Sequence, residues 1–176
     1  VRELLARVDD RGEMENYTEL MGISHILDRK LGDLSGGELQ RVAICATLLK
    51  EADVYFFDEP SSYLDIYERM RMVGVVRGLA EKGKRVLVVE HDLAILDVLC
   101  DSIHVIYGER SAYGIFTPPR STRTAINAYL DGFLPEENVR LRDKPIQVLR
   151  GRNRGEDVGT PILKWADIAT TLADFS

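Results

Sequence analysis

The run LSGGELQ at residues 34–40, followed by VYFF at 54–57, the acidic pair Asp58-Glu59 and SSYLD at 61–65, decides how this chain is read. Ser35 followed three residues later by Glu38 is a capping box that opens a helix. Gly36 and Gly37, lacking a Cβ, let a ligand approach backbone N–H groups where the helix dipole favours an anion such as phosphate. The apolar run at 54–57 is continuous rather than alternating, the pattern of a strand buried on both faces of a parallel sheet. Asp58 and Glu59 then sit where that strand surfaces, the edge at which α/β sheets bind ligands. In phosphoryl transfer, an aspartate there holds Mg²⁺ through its waters and a neighbouring carboxylate orients or deprotonates the attacking water. Each signal also has a plain structural reading: a capped helix, a solvated strand end, and Asp65 capping the helix that begins at Ile66.

Outward from this block, Val1–Arg29 shows helical spacing broken at Gly12 and Gly22, which predicts two or three short helices. A helix over 39–49 would turn Leu39, Val42, Ala43, Ala46 and Leu49 to the core. Another over 66–81 would use Ile66, Met70, Val73 and Val76 and stop at Lys82-Gly83. Val86–Val89 and Ile103–Ile106 read as further strands, separated by a short helix over 93–100, and His91 closes the first of them between Glu90 and Asp92. An imidazole at that strand end can donate to a phosphate oxygen or a nucleophilic water. A hairpin with Ala112–Phe116, a stop at Pro118-Pro119 and a helix over 122–130 capped by Ser121 complete the regular part.

The fold class expected from this alternation is α/β, with a mostly parallel sheet, helices on both faces and a helical portion at the N-terminus. The composition, 45% hydrophobic and 30% charged over 176 residues, suits a globular domain or a subdomain plus an extension. The net charge of −6 argues against a general nucleic-acid or membrane coat. Cys45 and Cys100 lie far apart without C-x-x-C spacing, so the expectation is two buried thiols in a reducing compartment, with no disulfide or metal framework. No apolar run of membrane-spanning length or basic-then-apolar leader is present, which predicts a cytoplasmic protein without membrane partners. His25 and His104 have no metal-ligand partners at suitable spacing.

No G-x-x-x-x-G-K-[ST] phosphate loop occurs in the sequence. The segment Gly78–Lys84 fits its first seven positions, but Arg85 stands eighth and the element runs from helix into strand, the reverse of a phosphate loop. The start at Val1 within a helical pattern and the fresh apolar segment after Pro161 lead us to expect a piece of a longer protein.

In this order, signature, acidic strand end, Asp loop and switch histidine resemble the C-terminal part of an ATP-binding cassette (ABC) ATPase. LSGGELQRVAI, FFDEPSSYLDI, VLVVEHDLAILD, YGERSAYGIFTPPRSTR and FLPEENVRLR together resemble the ribosome-recycling ATPases of archaea and eukaryotes, ABC subfamily E or RNase L inhibitor. The resemblance implies a partial P-loop NTPase fold. It implies a helical subdomain portion over 1–50, the C-terminal part of an ATPase core over 51–120, a hinge over 121–160 and the start of a second cassette over 161–176. Ser35, Gly36, Gly37 and Glu38 would clasp the γ-phosphate of an ATP seated on that second cassette. Asp58 would serve Mg²⁺ through water, Glu59 the attacking water and His91 the γ-phosphate at the chain's own site, with Asp65 linking the two sites. ATP and Mg²⁺ are the implied cofactors, and iron-sulfur clusters belong to an N-terminal cysteine-rich domain that this sequence lacks. The implied partners are the second cassette, ribosomal subunits, and termination and recycling factors. The chain is expected to be inactive alone. Two other readings use the same residues: the ATP-binding subunit of a membrane transporter, and a non-catalytic interaction fragment. Arg140–Arg154 could touch ribosomal RNA, but an exposed linker is the favoured reading of its arginines.

Overall fold

The computed structural model describes residues 1–109 and 111–146. Two short helices open the chain, α1 (Arg2–Val8) and α2 (Met14–Leu20), followed by single 3-10 turns at Ser24–Ile26 and Leu31–Asp33. Gly12 (φ +71°) and Gly22 (φ +65°) occupy the left-handed conformation at the expected breaks. Asp9 fixes the start of α2 by accepting from the backbone N–H groups of Glu13 and Met14, both at 3.0 Å. Helix α3 (Gly36–Leu48) follows, then strand β1 (Val54–Asp58), helix α4 (Ile66–Glu81), strand β2 (Arg85–Val89) and helix α5 (Leu93–Leu99).

β1 and β2 run parallel, with Val54 opposite Arg85 and Asp58 opposite Val89. α4 is the crossover between them, as a parallel pair requires. One core joins Leu5, Tyr17, Met21, Val42, Cys45, Leu48, Tyr55, Phe57, Met72, Val76, Leu79, Ile95 and Leu99. It unites the N-terminal helices, α3, the inner sheet face, α4 and α5. Burial pushes the Cys45 thiol up to about 12, so it behaves as an inert apolar group, whereas Cys100 is only half-buried.

Three expectations change. β1 is buried on one face: Tyr55 and Phe57 point inward, while Val54 and Phe56 are 48% and 60% exposed, and Leu87 and Val89 beside them are also exposed. Among the described residues, helices cover one side of this two-stranded sheet. The apolar stripes hold only in part: Val42, Leu49, Val73 and Val76 are buried as expected, but others are not. α3 buries Val42, Ile44, Cys45 and Leu48 while Leu39 and Ala43 are exposed, and α4 buries Met72, Val73, Val76 and Leu79 while Ile66 and Met70 are exposed. Both helices carry apolar residues on more than one face, so spacing alone does not orient them. Finally, the segment after α5 does not extend the parallel sheet. β3 (Ser102–Ile103) pairs with β6 (Arg120–Ser121), and β4 (Ile106–Glu109) with β5 (Tyr113–Phe116), both antiparallel. His104 and Val105 interrupt the expected strand because they bond elsewhere: Thr117 accepts from Val105 N through its hydroxyl at 2.9 Å and lies 2.8 Å from His104 Nδ1 through its carbonyl.

Helix α6 (Thr122–Asp131) is capped by Ser121 and ends at Gly132 in the left-handed conformation. With the small ladder of β7 (Phe133–Leu134) and β8 (Val139–Arg140) it encloses a second apolar cluster of Val105, Ala125, Ala128 and Leu134. The expected second-cassette start over 161–176 lies outside the described residues, as does most of Arg140–Arg154. No helix among the described residues is long and apolar enough to cross a membrane.

Candidate functional site

The site grows from the carboxyl ends of β1 and β2. β1 continues one residue past its last rung, Glu59 N donating to Val89 O at 2.8 Å, and then turns at once. Ser62 N closes that turn on Glu59 O at 3.1 Å. Pro60 suits the second position of such a turn because its ring presets φ. Glu59 itself adopts φ +45° and Tyr63 φ +63°, left-handed values that cost non-glycine residues energy and persist where surrounding contacts over-determine them. Those contacts are visible. Gln40 Nε2 of α3 donates to the carbonyls of Glu59 and Pro60, both at 3.3 Å, and the buried Ser61 donates its hydroxyl to Glu90.

The result is a carboxylate beside an imidazole. His91 Nδ1 lies 3.6 Å from Glu59 Oε1 and 3.7 Å from Glu90 Oε2. The His91 and Glu59 side chains are well exposed, whereas that of Glu90 is fully buried. Asp58 is exposed one residue before Glu59 and forms no ion pair with any described residue. A carboxylate and an imidazole that both reach solvent at one strand edge can hold and deprotonate a water between them. An adjacent free carboxylate offers a hard oxygen ligand for a divalent cation.

The signature helix abuts the same turn. Ser35 caps α3 by accepting from Glu38 N at 3.3 Å, and Glu38 returns the bond by accepting from Ser35 N at 2.8 Å. The Ser35 backbone N–H first, then its hydroxyl, hold the Glu38 carboxyl below its ordinary range. That carboxylate also pairs with Arg29 at 3.1 Å, so it is occupied, and as an anion it would repel phosphate. Gly36 and Gly37 meet a neighbour rather than open solvent. A Cβ on Gly37 would lie 2.8 Å from the Tyr63 carbonyl oxygen, and one on Gly36 would lie 3.4 Å from the Tyr63 ring. Glycine is therefore required at position 37 by close approach within the chain.

Asp65 caps α4 through a second capping box with Glu68, and Glu68 pairs with Arg41 of α3 at 2.8 Å. The structure thus brings Glu59 and His91 together, sets Asp58 beside them, and joins the signature helix to the turn at Ser61–Asp65. His25 is left out, and His104 serves the loop before β4. Gln40, Glu90 and Arg41 belong to the assembly and were not singled out from the sequence. The Q of LSGGELQ and the E of VVEHD stood within the quoted motifs, but no spacing rule reveals that one braces a turn and the other is buried. The false phosphate loop is a helix end: α4 stops at Glu81, Gly83 takes φ +80°, and β2 starts at Arg85.

The family described as ABC transporter matches residues 1–62. An uncharacterized ABC transporter ATP-binding protein of Methanocaldococcus jannaschii is 48% identical over 176 residues, 99% of this chain and 28% of that protein. ABC transporter E family member 1 of Arabidopsis thaliana is 42% identical over 177 residues, 98% of this chain and 29% of that protein. The chain therefore spans less than a third of the curated relatives it matches. Among solved structures, the crystal structure of archaeal ribosomal stalk protein aP1 with archaeal ribosome recycling factor aABCE1 superimposes with a TM-score of 0.82 at 50% identity, covering 92% of this chain and 31% of the matched one. Over this length the chain is a stretch of the ABC subfamily E (RNase L inhibitor) family of ATP-binding cassette ATPases.

Proposed function

We propose that this chain is part of an ATPase that couples ATP binding and hydrolysis to ribosome splitting during recycling. The observation that carries this reading is the 50% identity, over 92% of the chain, to an archaeal ribosome recycling factor. Its partners are ribosomal subunits and recycling factors, and its place is the cytoplasm. Hydrolysis belongs to the longer protein, in which a phosphate loop and a second cassette complete the two nucleotide sites.

The chain's residues fit a Mg-nucleotide. Asp58, exposed and without an ion-pair partner among the described residues, would hold Mg²⁺ through water. When bound, the ion neutralises charge on the phosphates. Glu59 orients and deprotonates the attacking water. His91, whose Nδ1 lies 3.6 Å from Glu59 Oε1, donates to the γ-phosphate. The Ser35 hydroxyl and the backbone amides of Gly36 and Gly37 at the α3 N-terminus face the nucleotide of the second cassette, while the Glu38 side chain, bonded to the Ser35 amide, shapes that helix end. Asp65, the cap of α4, links this surface to the Glu59 turn through Glu68 and Arg41.

The test is Glu59→Gln in the full-length protein, assayed for ATP turnover and for subunit separation by density-gradient sedimentation. Turnover is expected to fall by about a hundred-fold or more while ATP still binds, trapping a closed state. Wild-type turnover would remove Glu59 from this role, and turnover without any ribosome dependence would remove the ribosome from the reading.

A further inference from the structure

We propose that Glu90 is a positioning residue that holds Glu59 and His91 in catalytic register, an inference that rests on the ATPase reading above. Its side chain is fully buried, and its carboxylate bonds both across to the Glu59 turn and to the backbone of the adjacent His91. One oxygen accepts from the Ser61 hydroxyl. The other accepts from the backbone N–H of His91 at 2.9 Å and lies 3.7 Å from His91 Nδ1. Ser61, only 3% exposed, sits in the turn that carries Glu59 in its left-handed conformation.

A buried carboxylate is an expensive way to join two loops, because desolvation of its charge must be offset by the bonds it receives. A hydroxyl would tie one of these segments at lower cost. The carboxylate instead spans both, on the next rung of the β1–β2 ladder, since Asp58 pairs with Val89. A second strap runs alongside: Arg69 pairs with Asp92 at 2.7 Å and donates to the Leu64 carbonyl at 3.0 Å. His91 is thus flanked by two carboxylates, each tied to the segment 61–64. Glu90 bonds to Ser61 and His91 and acts through Glu59 and His91, the two groups assigned above to water and phosphate.

The experiment measures kcat and KM for ATP in the full-length protein carrying Glu90→Ala, Glu90→Gln, Ser61→Ala, or Ser61→Ala with Glu90→Ala, beside Glu59→Gln. Glu90→Ala is expected to lower kcat about ten-fold with KM changed less than about two-fold, because loss of register slows the step without weakening binding. The amide of Glu90→Gln can accept from His91 and donate to Ser61, so it should recover at least about half of the wild-type kcat. The double variant should be no slower than Glu90→Ala alone, since both remove one interaction. Unchanged kcat in Glu90→Ala, equal losses in the Gln and Ala variants, or additive losses in the double variant would each overturn the proposal. If Glu90→Ala does not fold, Glu90→Gln and Ser61→Ala decide it: near-normal kcat in the first with a clear fall in the second supports the role, and a fall confined to the first defeats it. Full activity in Glu59→Gln would sink the ATPase assignment of the site itself. An inactive Glu59→Gln beside an active Glu90→Ala would sink this inference alone.

Discussion

At Gly37 a single hydrogen separates a functional turn from a clash. A methyl there would press to 2.8 Å on the Tyr63 carbonyl, a backbone atom that cannot swing aside. The turn that would have to move also carries Glu59 and is braced by Gln40. Gly37→Ala should therefore lower the full-length protein's turnover by about ten-fold or more through displacement of that turn. Helix propensity pulls the other way, because alanine is favoured over glycine by about 1 kcal/mol inside a helix. The thermal midpoint should consequently shift by only a few degrees while turnover collapses, and a normal rate would mean that Tyr63 yields without cost. Gly37 thus admits a neighbouring backbone, a use independent of any ligand.

At the scale of elements, α4 offers the opposite case. Gly74 and Gly78 lie inside a 16-residue helix, and a Cβ at either would meet nothing within 4 Å. Gly74→Ala and Gly78→Ala should each stabilise the protein by about 0.5–1 kcal/mol, read as a higher denaturant midpoint with an unchanged slope. A lower midpoint would mean that a neighbour approaches this face in the full protein. Helix limits were well legible in the sequence: α4 was expected over 66–81 and spans Ile66–Glu81, and α6 was expected over 122–130 and spans Thr122–Asp131. Ser35, Asp65 and Ser121 explain this, because caps are local chemistry. Helix orientation was less legible, since Leu39, Ile66 and Met70 are apolar yet exposed. The break at His104-Val105 was hidden for a different reason: it depends on Thr117, twelve residues from Val105. For the candidate site, the sequence revealed Asp58, Glu59 and His91, whereas Glu90 and Gln40 act through bonds between segments that no spacing rule encodes.

Across the whole molecule, the N-terminal helices, the signature helix and the sheet share one core, so the Glu59 turn is held by elements from 35 to 99. The outer face of β1 and β2 is a different matter. Val54, Phe56, Leu87 and Val89 form a contiguous exposed apolar patch on a flat sheet surface, a feature that promotes association. Phe56→Ser in the isolated chain should reduce self-association, seen by light scattering, and lower the binding of an apolar dye, with little loss of folding stability because the ring is 60% exposed. A large drop in the melting temperature would show that Phe56 is a core residue in solution. The left-handed backbone at Glu59 carries one more consequence. A residue held at φ +45° costs on the order of 1–3 kcal/mol that glycine would not, so position 59 is where thermostability and chemistry pull apart. On the ATPase reading proposed above, selection for heat tolerance alone would replace that carboxylate with glycine first and leave a sturdier protein without its proposed base.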